Sequence, residues 1–180
     1  MNANALENLH MRNGLQKALD RSEFILHYQP QIDLVTGAVI GAEALIKWNH
    51  PDMGIVPPGR FIPIAEESGL IVPIGYWVLL EACRQAVTWR KAGLPEMVIA
   101  VNISAVQFQQ HDFEKCVIQT LSDTGLDPAW LELELTESLL IHNTETALAS
   151  LKRLKAIGVK LSIDDFGTGY SSLSYLKRFN

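Results

Sequence analysis

The fold is decided between residues 98 and 164. Three short runs lie there, Val98-Ile-Ala-Val-Asn-Ile103, Leu131-Glu-Leu-Glu-Leu-Thr136 and Val159-Lys-Leu-Ser-Ile-Asp164. They alternate with two longer segments of helical pattern, Phe108 to Thr124 and Thr144 to Ile157. Short apolar strands separated by helices of this length predict βαβ crossovers and a parallel sheet. Working outward toward the N-terminus, Gly93-Leu94-Pro95 ends a helix over Ile74 to Lys91, which follows a second one over Phe61 to Ser68. A Pro- and Gly-rich loop, Pro51 to Gly59, precedes them. Earlier still, Phe24 to Leu34 and Val39 to Trp48 flank the turn residues Val35-Thr36-Gly37-Ala38 and read as an antiparallel strand pair. Leu6, Leu9, Leu15 and Leu19 set a lead-in surface helix over Leu6 to Asp20. Beyond Asp164, Ser171 to Phe179 would start another helix.

The composition agrees with one globular domain of ordinary size: 180 residues, 48% hydrophobic and 19% charged. A formal charge of −5 supplies no basic field for a nucleic-acid polymer or an anionic membrane. Cys83 and Cys116 form no CxxC or Cys/His cluster; both are expected to be buried thiols in a reducing cytoplasm. Met1 to Glu7 carries no basic-then-apolar leader. The longest apolar stretch, Gly69 to Leu80, is about half the ~20 residues a bilayer span needs and is interrupted by Pro73 and Gly75.

Strand parity points to a site. Side chains alternate faces along a strand, which puts Glu43, Leu45 and Lys47 on one face of the second strand, against Ala42, Ala44 and Ile46. In the same way Asn102 separates from Ile99, Val101 and Ile103, Glu134 and Thr136 from Leu131, Leu133 and Leu135, and Ser162 and Asp164 from Leu161 and Ile163. Parallel strands covered on both faces normally read as unbroken Val/Ile/Leu runs, so a carboxylate or carboxamide near each C-terminal end is hard to explain as packing. Asn102 and Glu134 are 32 residues apart and Glu134 and Asp164 are 30, each about one βα unit. All three therefore belong at the end of the sheet where α/β folds do chemistry. Glu43, Glu134, Asp164 and Asp165 would repel one another there unless protonated or neutralised by cations. Oxygen-only donors suit Mg²⁺ or Mn²⁺ rather than zinc. A pair of such ions is the usual device for in-line attack of water on a phosphodiester.

Glu43-Ala44-Leu45 resembles the name-giving tripeptide of EAL domains, bacterial phosphodiesterases that open cyclic diguanylate (c-di-GMP) to the linear dinucleotide. The resemblance runs from about Leu15 to Asn180. It passes through Tyr28-Gln29-Pro30, Phe61-Ile62-Pro63 with Ala65-Glu66-Glu67, Val101-Asn102-Ile103-Ser104, Glu134-Leu135-Thr136-Glu137, and Asp164-Asp165-Phe166-Gly167-Thr168-Gly169-Tyr170-Ser171-Ser172. It implies an α/β fold, a modified TIM (β/α)8 barrel whose first strand pair is antiparallel, with residues 1–20 as lead-in and residues 21–180 as the EAL domain. It further implies that Glu43, Asn102, Glu134, Asp164 and Asp165 hold two Mg²⁺ or Mn²⁺ ions, Glu43 and Asp165 being catalytic. By the same resemblance Gln29, Leu45 and Lys47 touch the dinucleotide, and Glu137 anchors the Asp165 to Ser172 loop, which couples the metal site to a homodimer interface. An upstream sensory or diguanylate-cyclase domain is a further implied partner.

Two features depart from the family. Lys47 stands where an arginine usually contacts a substrate phosphate, which keeps the charge but loses the bidentate fork; a salt bridge to a nearby carboxylate is an equal reading of Lys47. The family's later-strand lysine, general-base glutamate and glutamine would all follow Asn180. Against the roughly 250 residues of a complete (β/α)8 barrel, this length implies a barrel lacking about its last quarter, expected to be inactive by itself. A non-catalytic c-di-GMP receptor or interaction module on the same fold is the alternative, and another Mg²⁺-dependent barrel enzyme a third. Glu137 could instead simply cap the segment after it. The five histidines show no metal spacing, and Gly167-Thr168-Gly169 reads as a loop rather than a phosphate cradle.

Overall fold

The computed structural model describes residues 2–136 and 145–164. Helix α1 (Asn2–Ala18) leads into strands β1 (Phe24–Ile32), β2 (Val39–His50) and β3 (Gly54–Val56) and helices α2 (Pro58–Glu67) and α3 (Ile71–Lys91). Strand β4 (Val98–Ile103), helices α4 (Ala105–Phe108) and α5 (Phe113–Thr124), a 3-10 turn over Pro128–Trp130 and strand β5 (Leu131–Thr136) follow. Helix α6 (Glu145–Ala156) and strand β6 (Lys160–Asp164) complete the described residues. One sheet in the order β1-β2-β4-β5-β6, with β3 on β2, carries all six strands. β1 and β2 are antiparallel, whereas β2, β4, β5 and β6 run parallel, as the hairpin and crossover readings require.

Asp33 makes the hairpin turn. Its Oδ1 accepts from Val35 N at 3.0 Å, Thr36 N at 2.7 Å and Thr36 Oγ1 at 2.9 Å, and the Thr36 backbone N–H above all holds this carboxyl below the usual aspartate range. Gly37 sits at φ +71°, a conformation that costs an L side chain energy. The core lies between the sheet and its helices, where Ile99, Val101, Leu131 and Leu133 are fully buried against α3 and α5.

Several boundaries differ from the sequence reading. The expected loop over Pro51 to Gly59 contains β3, because Val56 is drawn into the core and its neighbours pair with β2. Helix α2 starts at Pro58 rather than Phe61, proline being well suited to a first helical position. Helix α3 starts at Ile71 rather than Ile74, since Pro73 falls in its first turn, where the missing N–H has no partner to lose. The single helix expected over Phe108 to Thr124 is two helices. In a continuous helix, residues 108 and 113 would face different ways; the break lets both phenylalanines bury, with their ring centroids 5.3 Å apart. In α1 the buried stripe is Met11, Leu15 and Ala18, while Leu9 is 55% exposed. Cys83 is buried as expected, and burial pushes its thiol up to about 12; Cys116 is only half-buried. The expected helix over Ser171 to Phe179 lies outside the described residues.

Candidate functional site

The site is a row of polar side chains across the inner face of the sheet, opposite the apolar set. Antiparallel pairing sets Gln29 of β1 directly across from Glu43 of β2. Parallel pairing sets Asn102 of β4 beside Glu134 of β5, Glu134 beside Ser162 of β6, and Thr136 beside Asp164. Glu43 is in register with Ala100, but its side chain reaches toward the strand ends, where Asn102 Nδ2 donates to Glu43 Oε1 at 2.7 Å. That bond commits the amide nitrogen and leaves Asn102 Oδ1 as the oxygen available to a cation.

Glu43, Leu45, Lys47, Glu134 and Thr136 are half-buried, and Asn102 and Gln29 are exposed. Their opposite-face neighbours Ala42, Ala44, Ile99, Val101, Leu133 and Leu135 are all buried. The alternation in burial follows the alternation in sequence, so the polar row is a property of strand pleat rather than of loop conformation. Gln29, Glu43, Asn102 and Glu134 are thus brought together, with Leu45 and Lys47 further along the face that Glu43 occupies. Asp164 is placed by its backbone at the end of β6, while its side chain, Asp165 and Glu137 lie outside the described residues. Among the described residues no group of three or more His, Cys, Asp or Glu is set to hold a metal. Glu43 and Glu134 are the described carboxylates of the row, with Asn102 hydrogen-bonded to the first and in register with the second. These donors are all oxygen, which fits a hard divalent ion and offers nothing to a thiophilic one.

A cavity of about 240 Å³ opens beside this row, between β2, β4, α2 and α3. Leu45 and Asn102 form the wall toward the row, Ile62 and Ile74 line it from the helices, and the half-buried Glu66 and the buried Gln107 are among its polar members. Burial raises the Glu66 carboxyl above the ordinary glutamate range. The sequence reading passed over Gln107. The available signal was the spacing Ser104-x-x-Gln107, a capping-box pattern directly after a strand. Gly75, in the interior of a helix where glycine costs about 1 kcal/mol relative to alanine, was the second. Among the described residues no helix is long and apolar enough to cross a membrane.

Comparison with known proteins agrees with this geometry. Residues 12–180 match the EAL domain. The chain is 49% identical over 178 residues to the bifunctional diguanylate cyclase/cyclic di-GMP phosphodiesterase MucR of Pseudomonas aeruginosa, covering 99% of this chain and 26% of that protein. It is 44% identical over 179 residues to the cyclic di-GMP phosphodiesterase PdeR of Escherichia coli, covering 99% of this chain and 27% of that protein. The chain therefore spans about a quarter of the length of these relatives. Among solved structures, the MucR phosphodiesterase in complex with c-di-GMP superposes with a TM-score of 0.89 at 48% identity, covering 94% of this chain and 68% of that one. The EAL enzyme Bd1971, with cAMP and c-di-GMP bound, superposes with a TM-score of 0.90 at 32% identity, covering 98% of this chain and 49% of that one. A TIM-barrel-like sheet with an antiparallel first pair and a matched sequence from residue 12 onward place this chain in the EAL domain family.

Proposed function

We propose that this chain supplies the metal-binding wall of a c-di-GMP phosphodiesterase that opens the cyclic dinucleotide to its linear form. The observation that carries the reading is the Glu43–Asn102–Glu134 row at the strand ends, with half-buried carboxylates and the 2.7 Å Asn102–Glu43 hydrogen bond. Two divalent ions, Mg²⁺ or Mn²⁺, would supply charge neutralisation at the phosphate and an acidified water. Glu43, Asn102 and Glu134, with Asp164 and Asp165, would hold them. Asn102 keeps the Glu43 carboxylate oriented through its Nδ2. Gln29, opposite Glu43, and Leu45 would meet the dinucleotide, and Lys47 would approach a phosphate as a point charge. Glu137 is assigned to anchoring the segment after Asp164. A cytoplasmic homodimer under the control of an upstream signalling domain completes the proposal, supported by the free thiols of Cys83 and Cys116 and by the bifunctional character of MucR.

Titration of c-di-GMP into the full-length protein, with and without Mg²⁺, tests the assignment. Turnover to the linear dinucleotide only with Mg²⁺ is the expected result; tight binding without turnover in both arms would make the protein a receptor. Lys47→Arg in the same protein is expected to lower KM about fivefold, the value of about 1 kcal/mol for one added charge-assisted hydrogen bond. An unchanged KM would identify Lys47 as a salt-bridge partner within the barrel.

A further inference from the structure

Strands β2 and β4 pair from Gly41–Val98 to Ala44–Val101, so this ladder stops one residue short of Asn102. Asn102 and Ile103 are then paired on one side only, with Glu134 and Leu135 of β5. The residues that follow replace the missing support. Ser104 Oγ accepts from Gln107 N at 3.0 Å and caps the single turn of α4, and Phe108 N donates to Ser104 O at 3.0 Å. In an ordinary capping box the side chain at the position of Gln107 reaches back to the cap's own N–H. Here the Gln107 carboxamide lies against Gly75 of α3. A Cβ at position 75 would sit 2.7 Å from Gln107 Nε2 and would overlap the rest of the amide. Gln107 is 1% exposed, and its Nε2 is buried with no hydrogen-bond partner.

A buried donor of this kind costs about 1–3 kcal/mol when it is left unmet, so the close seat of this carboxamide on Gly75 calls for a reason beyond filling space. A flat carboxamide fits the gap left by the absent glycine Cβ and pins the turn after β4 to the rigid middle of α3. We propose that Gln107 is a positioning residue for the metal site: clamped on Gly75, it fixes the Ser104 turn and through it the Asn102 carboxamide that faces Glu43. This inference rests on the reading of Asn102 as a metal ligand.

Mn²⁺ binding to the full-length protein, followed by electron paramagnetic resonance well below the melting temperature, provides a readout independent of turnover. Gln107→Ala is expected to weaken Mn²⁺ binding about tenfold, the lower end of what loss of a supporting partner costs a metal site. Gly75→Ala, which displaces the amide from the other side, should do the same. In an Asn102→Ala background Gln107→Ala should have no further effect, because the two act through one group. Independent, multiplying effects of the two substitutions, or Mn²⁺ affinity within twofold of wild type in folded Gln107→Ala, would overturn the proposal. Should Gln107→Ala fail to fold, Gln107→Met keeps the volume, removes the flat amide and is expected to show the same weakening. Unchanged affinity in Asn102→Ala would instead overturn the metal reading, and this inference with it.

Discussion

Glu43→Ala in the full-length protein is expected to abolish most Mg²⁺-dependent c-di-GMP hydrolysis, lowering kcat by more than the roughly hundredfold that loss of an outer-shell partner can cost. The size follows from what Glu43 does in the structure. It is half-buried on the inner face and accepts the Asn102 Nδ2 hydrogen bond at 2.7 Å. It also stands across from Gln29 and one strand away from the Asn102–Glu134 pair. Removing its carboxylate takes away one proposed ligand and releases the orienting bond on a second. The fold should survive, because the side chain lies on the polar face while Ala42 and Ala44 on the other face carry the packing. Circular dichroism and melting temperature close to wild type, together with the kinetic loss, are the expected pair of results. Undiminished hydrolysis would remove Glu43 from the chemistry and with it the metal-site assignment.

The largest expected effect on stability is at Trp48. Its side chain is fully buried at the end of β2 and is flanked by Phe24, Phe61 and His50, with ring centroids 6.1, 5.9 and 4.8 Å away. Its Nε1 donates to Glu23 Oε2 at 2.9 Å. Helix α1 approaches so closely that a Cβ on Gly14 would lie 3.0 Å from the indole. One side chain thus joins α1, β1, β2 and α2. Trp48→Ala should cost about 3–5 kcal/mol from lost transfer energy and the cavity left behind, or about 6–20 °C in Tm for a domain of this size. Urea unfolding followed by circular dichroism measures it, and Trp48→Phe, which keeps most of the ring but loses the Glu23 bond, should fall between. A loss below about 1 kcal/mol would show that the four elements hold together without the indole.

Much of this protein can be read along the chain because strand pairing repeats with a period of two. The run at 131–136 declares in its own letters which residues face the helices, and burial follows that alternation residue by residue; in the run at 98–103 the first four residues are all buried and Asn102 alone is exposed. The antiparallel first pair is legible for a similar local reason, since Thr36 and Gly37 are turn chemistry at short range, while the capping role of Asp33, read as part of the strand, appears only in the structure. The boundaries that shifted are those where a local signal competes with packing at a distance. Pro73 reads as a stop but occupies a first turn, and the run from Phe108 reads as one helix until two buried rings must point the same way.

The sequence alone determined the antiparallel first pair, the alternating strands and helices after it and the oxygen donors on one face of each strand, because each depends on neighbours within a few residues; it did not show β3 or the break between α4 and α5. Which donors meet was decided only in three dimensions. The ladder between β2 and β4 ends at Val101, so the Asn102–Glu43 bond and the seat of Gln107 on Gly75 join residues 59 and 32 positions apart. No local pattern encodes such contacts, since they depend on how far two paired strands run before they part and on which helix fills the space that opens.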